Sequence, residues 1–126
     1  MNPALLYLAA ALTGLWGAAH LFATKGVVKG FGELKPDNKR IITMEWIVEG
    51  VALISIAAFV IAAAAATPTG PASSVSSAIY AVAIGALLIL AIVSLFTGFR
   101  VAFLPFRLCP IIFAVSALLI AWGAWF

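Results

Sequence analysis

Four apolar stretches, each long enough to cross a lipid bilayer as a helix, limit the folds open to this chain. They cover residues 3–23, 41–66, 77–99 and 105–126 of the 126-residue sequence. A hydrocarbon core of roughly 30 Å is spanned by about 20 residues of α-helix. Hydrophobic residues make up 66% of the chain and charged residues only 9%, a composition too apolar for a soluble domain. The sequence therefore predicts an all-α integral membrane protein, a single four-helix transmembrane bundle over residues 1–126 with short connections.

The basic residues predict the orientation of these helices. Five of the seven lie between the first two apolar stretches, in "KGVVKGFGELKPDNKR", and Arg100 and Arg107 lie near the junction of the last two. The connection between the second and third stretches, "TPTGPASSVSS", carries no charge. By the positive-inside rule, both basic connections are cytoplasmic and both termini lie outside, as in a multi-pass protein of a bacterial inner membrane. We expect the lysines to bind anionic membrane lipid, and we expect no nucleic-acid partner.

Polar side chains converge toward the cytoplasmic end of the predicted bundle. On the first helix Thr13, Gly17, His20 and Thr24 share one face at helical spacing, and small residues on such a stripe let a neighbouring helix approach. On the second helix, "ITMEWIVEG" places two carboxylates four residues apart on one face, with the second about one turn deeper than the first. Ionisable groups inside a membrane usually face one another or a cavity. The sequence therefore predicts a polar pocket that opens toward the cytoplasm.

The residues expected to form this pocket come from all four helices. We expect Glu49, Glu45 and His20 to be the catalytic residues and the side chains that bind substrate to be Arg100, Trp46, Trp16 and Arg107. Two close carboxylates suit acid and base work, and Arg100 could orient a polar group of the substrate. Cys109 is expected at the same depth, more simply as a buried, inert thiol than as a reactive thiolate.

Each of these residues also has a structural interpretation. Glu45 is near enough to the interface to form an ion pair with Arg40, Arg100 or Arg107, and both arginines could simply mark the membrane boundary. The single histidine could accept or donate a proton, bind a metal ion together with Glu45 and Glu49, or donate a hydrogen bond to a carbonyl group. No ligand spacing here is diagnostic of a metal, so no metal site is predicted and the cofactor is left open.

The opening "MNPALLYLAAALTGLWGA", followed by three more helices, superficially resembles the small multidrug resistance transporters. That family carries an essential glutamate in the middle of its first helix, where this chain has Thr13 and Gly14, so its function is not carried over. Four short helices with a histidine near the inner end also resemble DoxX-like membrane proteins in outline, but no motif is shared.

The function expected from the sequence is binding of, or action on, a small hydrophobic molecule in the polar pocket. If the protein is an enzyme, proton transfer at Glu49 suits isomerisation, cyclisation or epoxide opening of a lipophilic substrate. Two alternatives stay open. The chain could be a non-catalytic subunit of a larger membrane complex, since its alanine-rich helices suit packing against partner helices, or it could form a proton-coupled transporter as a homo-oligomer.

Overall fold

The fold is a bundle of four antiparallel α-helices without strands. A computed structural model describes all residues from Met1 to Phe126. The helices are α1 (Pro3–Gly30), α2 (Pro36–Ala66), α3 (Ser74–Thr97) and α4 (Leu104–Trp125). All four are long and apolar enough to cross a membrane. The predicted all-helical class and the number of candidate membrane helices are therefore confirmed.

The first two helices extend beyond the apolar stretches that predicted them. Helix α1 continues past residue 23 to Gly30, and α2 begins at Pro36 rather than at residue 41. Amide hydrogen bonds along the backbone continue into the charged segment, where water solvates the side chains at little cost. A short turn joins the two helices, and Gly32 supplies its one left-handed residue with a φ of 73°.

Consecutive helices pack side by side in a ring. The α1–α2 pair is the most extensive contact, followed by α3–α4 and α1–α4, while the α2–α3 contact is the sparsest. All seven basic residues lie at one end of this ring, which we call the basic end; the chain termini and the α2–α3 connection lie at the other, the terminal end. The sparse α2–α3 contact leaves a lateral seam along the bundle.

Two glycines set the closest approach between α1 and α2. A Cβ atom on Gly17 would lie 2.7 Å from the carbonyl oxygen of Gly50, and one on Gly50 would lie 2.9 Å from that of Gly17. Neither position has room for a larger residue unless the backbones separate. This contact places His20, one turn after Gly17, opposite the residue that precedes Gly50.

The terminal end is closed by hydrogen bonds as well as by packing. The Asn2 amide donates to the Gly123 carbonyl at 2.6 Å and so ties α1 to α4. The Ser76 hydroxyl donates to the Ala63 carbonyl at 3.3 Å and ties α3 to α2. Large buried side chains such as Tyr80 and Phe113 fill the space between the helices. The structure is therefore tightest away from the basic end and loosest along the α2–α3 seam.

Candidate functional site

His20 is the one ionisable residue on the buried face of α1. The predicted stripe of Thr13, Gly17, His20 and Thr24 is buried along its whole length, which confirms the predicted bundle-facing side. The two threonine hydroxyls donate to carbonyl groups of their own helix, at 2.9 Å for Thr13 and 2.8 Å for Thr24. Both hydroxyls are therefore already bonded, and His20 alone has a polar atom free to act.

The backbone fixes which nitrogen of His20 is free. Its Nδ1 lies 2.8 Å from the carbonyl oxygen of Trp16, and because a carbonyl only accepts, Nδ1 carries the proton and donates it. In the neutral ring Nε2 therefore carries a lone pair. This atom is buried without a hydrogen-bond partner and lies 3.6 Å from Oε1 of Glu49 on α2.

Aromatic rings enclose the His20 imidazole. Trp46 from α2 stacks on it with ring centroids 4.8 Å apart and an interplanar angle of 27°. Trp16 meets it edge-on at 5.7 Å, and Phe106 from α4 packs against the outer side of Trp46 at 5.3 Å. The indole nitrogens of Trp16 and Trp46 are buried and donate no hydrogen bond. The imidazole can therefore neither turn easily nor be reached by bulk water.

Cys109 brings a third chemically active atom to this cluster. The side chain is buried, and its thiol donates to the Pro105 carbonyl at 3.4 Å. Its Sγ atom, a ring nitrogen of His20 and a carboxylate oxygen of Glu49 all lie within 4.8 Å of one another. We call these three residues the His–Glu–Cys cluster; each comes from a different helix.

Glu49 connects the cluster to a lateral groove. Its side chain is 32% exposed, whereas that of His20 is 4% exposed. The groove has a volume of about 480 Å³, follows the seam between α2 and α3, and is lined by Phe31, Ile42, Glu45, Trp46, Val48, Glu49, Ala52, Leu90, Val93 and Phe106. A second hollow of about 320 Å³, lined only by apolar residues, begins one helical turn farther toward the terminal end. Together they form the α2–α3 groove, which is polar at one end and apolar along the rest.

The structure separates the two glutamates that the sequence grouped. Glu45 is exposed and lines the groove, but it does not belong to the His–Glu–Cys cluster. The ion pair of Glu45 with Arg40, Arg100 or Arg107, one of the interpretations open from the sequence, is not formed, and Arg40 pairs instead with Asp37 at 3.4 Å. The distances along α2 explain this, since Arg40 is three residues after Asp37 and five before Glu45.

The two arginines near α4 lie outside the groove. Arg100 and Arg107 are exposed, and Arg107 donates through Nε to the Val101 carbonyl at 3.1 Å. The expectation that they bind substrate therefore receives no support from their positions.

Sequence reasoning gave no role to Phe31, Leu90 or Phe106, which line the groove. Aromatic and aliphatic side chains are too frequent in this chain for their pattern to mark them.

Comparisons of the chain with protein-family models, with curated proteins and with solved structures give no match. The geometry of the site offers a lone pair on a buried imidazole, a partly exposed carboxylate beside it, and an apolar groove that reaches the carboxylate.

Proposed function

We propose that this chain binds a small hydrophobic molecule in the α2–α3 groove and exchanges a proton with it at the His20–Glu49 pair. The observation that carries this proposal is the contact between a buried imidazole lone pair and a carboxylate at the polar end of an apolar groove. Ligand sites commonly combine apolar walls with a few converging polar groups. A lipophilic molecule with one polar group matches both parts of this groove.

The pair has the parts needed for acid and base chemistry. The Glu49 carboxylate lines the groove and can accept a proton from a substrate atom, and Nε2 of His20, buried behind it, can accept that proton from Glu49. The two residues can then return the proton across the 3.6 Å that separates them. Isomerisation or cyclisation of a lipophilic substrate fits this arrangement because it needs little water.

The proposal includes a membrane location. We place the chain in a bacterial inner membrane as a multi-pass protein, with the basic end in the cytoplasm and both termini outside. The distribution of lysine and arginine supports this orientation. A hollow of about 850 Å³ at the basic end is lined by Lys25, Lys29 and Lys39, which suits anionic lipid headgroups. The α2–α3 groove then opens sideways into the bilayer, from which a hydrophobic molecule can enter.

The two alternatives have less support. A proton-coupled transporter needs polar groups along the whole path, yet the part of the groove nearest the terminal end is lined only by apolar residues. A purely structural subunit gives no reason for an unpaired imidazole nitrogen beside a carboxylate. Whatever its activity, the chain exposes large apolar side chains through which it can associate with a second copy or with other membrane subunits.

Filling the groove tests the proposal. Ala52 lines the groove and Ala58 does not, although both are exposed alanines on α2. We expect a long-chain alcohol carrying a photoactivatable diazirine to label groove residues of the wild type in detergent micelles or liposomes. Ala52→Trp should remove this labelling because the indole occupies the groove, whereas Ala58→Trp should leave it unchanged. Peptide mass spectrometry locates the labelled residues.

Two results contradict the proposal. One is labelling spread evenly over all lipid-facing residues of the wild type, which means that the probe samples the surface and not a site. The other is an equal loss of labelling in Ala52→Trp and Ala58→Trp. Circular dichroism of both variants shows whether each retains its helices.

A further inference from the structure

The His–Glu–Cys cluster has the composition of a metal site. A ring nitrogen of His20, a carboxylate oxygen of Glu49 and Sγ of Cys109 lie within 4.8 Å of one another and come from three helices. A four-coordinate zinc ion with nitrogen, oxygen and sulfur ligands holds those atoms roughly 3.3–3.6 Å apart, given ligand distances of about 2.0–2.3 Å. The His20–Glu49 distance of 3.6 Å already meets this condition. The sulfur lies within 4.8 Å of the other two ligand atoms, so binding requires it to approach them by at most about 1.5 Å.

The free nitrogen of His20 is oriented as a metal ligand is oriented. The Trp16 carbonyl accepts the Nδ1 proton at 2.8 Å and holds the lone pair of Nε2 toward Glu49. Metal-binding histidines usually donate their other ring N–H to a carbonyl or carboxylate in this way. His20 is 4% exposed and Nε2 has no hydrogen-bond partner, so nothing in the protein occupies its lone pair.

The charges of the three ligands favour a divalent cation. A neutral imidazole, a carboxylate and a thiolate carry two negative charges together, so a divalent ion makes the site neutral. On binding, the Cys109 thiol loses its proton to solvent and the sulfur lone pair forms the bond to the metal, with no change in oxidation state. A neutral complex avoids most of the penalty for a charge in an apolar environment.

We propose that His20, Glu49 and Cys109 bind one divalent transition-metal ion, with Zn²⁺ as the ion that best suits this mixed ligand set. Three protein ligands leave the fourth position open toward the groove, where Glu49 is exposed. A polar group of a bound molecule could occupy that position. The inference shares two residues with the proposed function but does not depend on it, because metal binding needs only the three ligands. While the ion is bound, the Nε2 lone pair and the Glu49 carboxylate coordinate it, so the proton exchange proposed above belongs to the metal-free protein.

Cobalt substitution tests the site directly. Protein purified with a phosphine reductant and stripped of metal should bind one Co²⁺ per chain, displaced by Zn²⁺. The bound ion should show a thiolate-to-cobalt charge-transfer band in the near ultraviolet and the strong visible bands of a four-coordinate ion. Cys109→Ser should remove the charge-transfer band, and His20→Ala should weaken Co²⁺ binding by at least about tenfold. Glu45→Gln, on the same helix as Glu49 but outside the cluster, should leave spectrum and affinity unchanged.

Several outcomes overturn the inference. One is the absence of the charge-transfer band from the wild type, and another is a band that survives in Cys109→Ser. A third is equal weakening of Co²⁺ binding by Glu45→Gln and Glu49→Gln. Cys109→Ser is nearly isosteric, and its circular dichroism spectrum confirms that loss of the band is not loss of the fold. Ala52→Trp separates the two proposals, since it should still bind Co²⁺ while it no longer takes up the alcohol probe. Labelling without cobalt binding contradicts the metal site alone, and cobalt binding without labelling contradicts the groove alone.

Discussion

Glu45 and Glu49 lie one helical turn apart, and that turn separates two environments. Glu45 is exposed on the groove wall without an ionic partner, whereas Glu49 is partly buried and 3.6 Å from Nε2 of His20. A carboxylate that is well solvated contributes little to binding, while one in a drier place forms stronger hydrogen bonds. The proposed chemistry therefore belongs to Glu49, and Glu45 serves as an internal control.

Replacing each glutamate by glutamine tests this difference. Glu49→Gln should reduce labelling by the photoactivatable alcohol roughly tenfold, because a hydrogen bond to a charged group is worth about 1.5–3 kcal/mol. Glu45→Gln should change labelling by less than about twofold, since an exposed carboxylate is solvated. A matching alkane probe without the hydroxyl group should be insensitive to both substitutions. If Glu45→Gln has the larger effect on the alcohol, the polar group binds at the mouth of the groove and not at Glu49.

For individual residues, the sequence predicts how far along the bundle a side chain lies but not which way it faces. Spacing along each helix correctly placed His20 on the buried face of α1, because four residues of its stripe share one face. Arg100, Arg107 and Cys109 were all expected at the same depth, yet only Cys109 faces the cluster. The rotation of α4 depends on how Cys109, Pro110 and Phe113 pack against the other helices, which a single amphipathic pattern does not determine.

Among the elements, the α1–α2 pair determines the geometry of the site. Gly17 and Gly50 bring the two backbones together, and His20 and Glu49 follow from the same contact. Any change that separates these helices also moves the imidazole away from the carboxylate. The α2–α3 pair has the opposite role, because its sparse contact creates the groove.

Alanine substitutions at two glycines should separate packing from helix propensity. A Cβ on Gly17 would lie 2.7 Å from the Gly50 carbonyl, whereas one on Gly85 would meet nothing within 4 Å. Gly17→Ala should destabilise the folded protein by about 1–3 kcal/mol, as overpacking does. Gly85→Ala should be neutral or stabilise by up to about 1 kcal/mol, because alanine favours a helix. Denaturation of both variants in detergent micelles measures the difference, and equal effects would mean that α1 and α2 do not approach closely.

The sequence predicted the elements better than their ends. Apolar length alone gave the number of helices, because a bilayer needs about 20 residues for each. It did not predict that α1 reaches Gly30, since helix formation continues where the apolar requirement stops, whereas Pro36, which suits the first turn of a helix, does mark the start of α2. Gly26 does not interrupt α1, which continues through it to Gly30. The α2–α3 groove had no sequence signal at all, because it arises from how two helices diverge.

For the whole molecule, the exposed apolar surface and the positions of the basic residues both suit a bundle that spans a membrane. Many large apolar side chains are exposed around the ring, among them Phe22 at 90% and Phe96 at 79%. In water such a surface would aggregate, whereas in a bilayer it is solvated by lipid. All seven basic residues lie at the basic end, and the α2–α3 connection at the terminal end carries none. In the proposed orientation, the His–Glu–Cys cluster lies in the half of the bundle nearer to the cytoplasm.

Reporter fusions at both ends of the bundle test the proposed orientation. Alkaline phosphatase fused after Phe126 should be active in a bacterial host because the enzyme folds only outside the cytoplasm, and green fluorescent protein at the same point should be dark. A phosphatase domain inserted after Gly70 should also be active, and one inserted after Gly32 should be inactive. Replacing Lys25, Lys29 and Lys39 by glutamine removes three of the seven basic residues at the basic end and should lower the activity of the Phe126 fusion. Bright green fluorescence from the wild-type fusion after Phe126 would contradict this orientation and mean that the cluster lies near the outer surface.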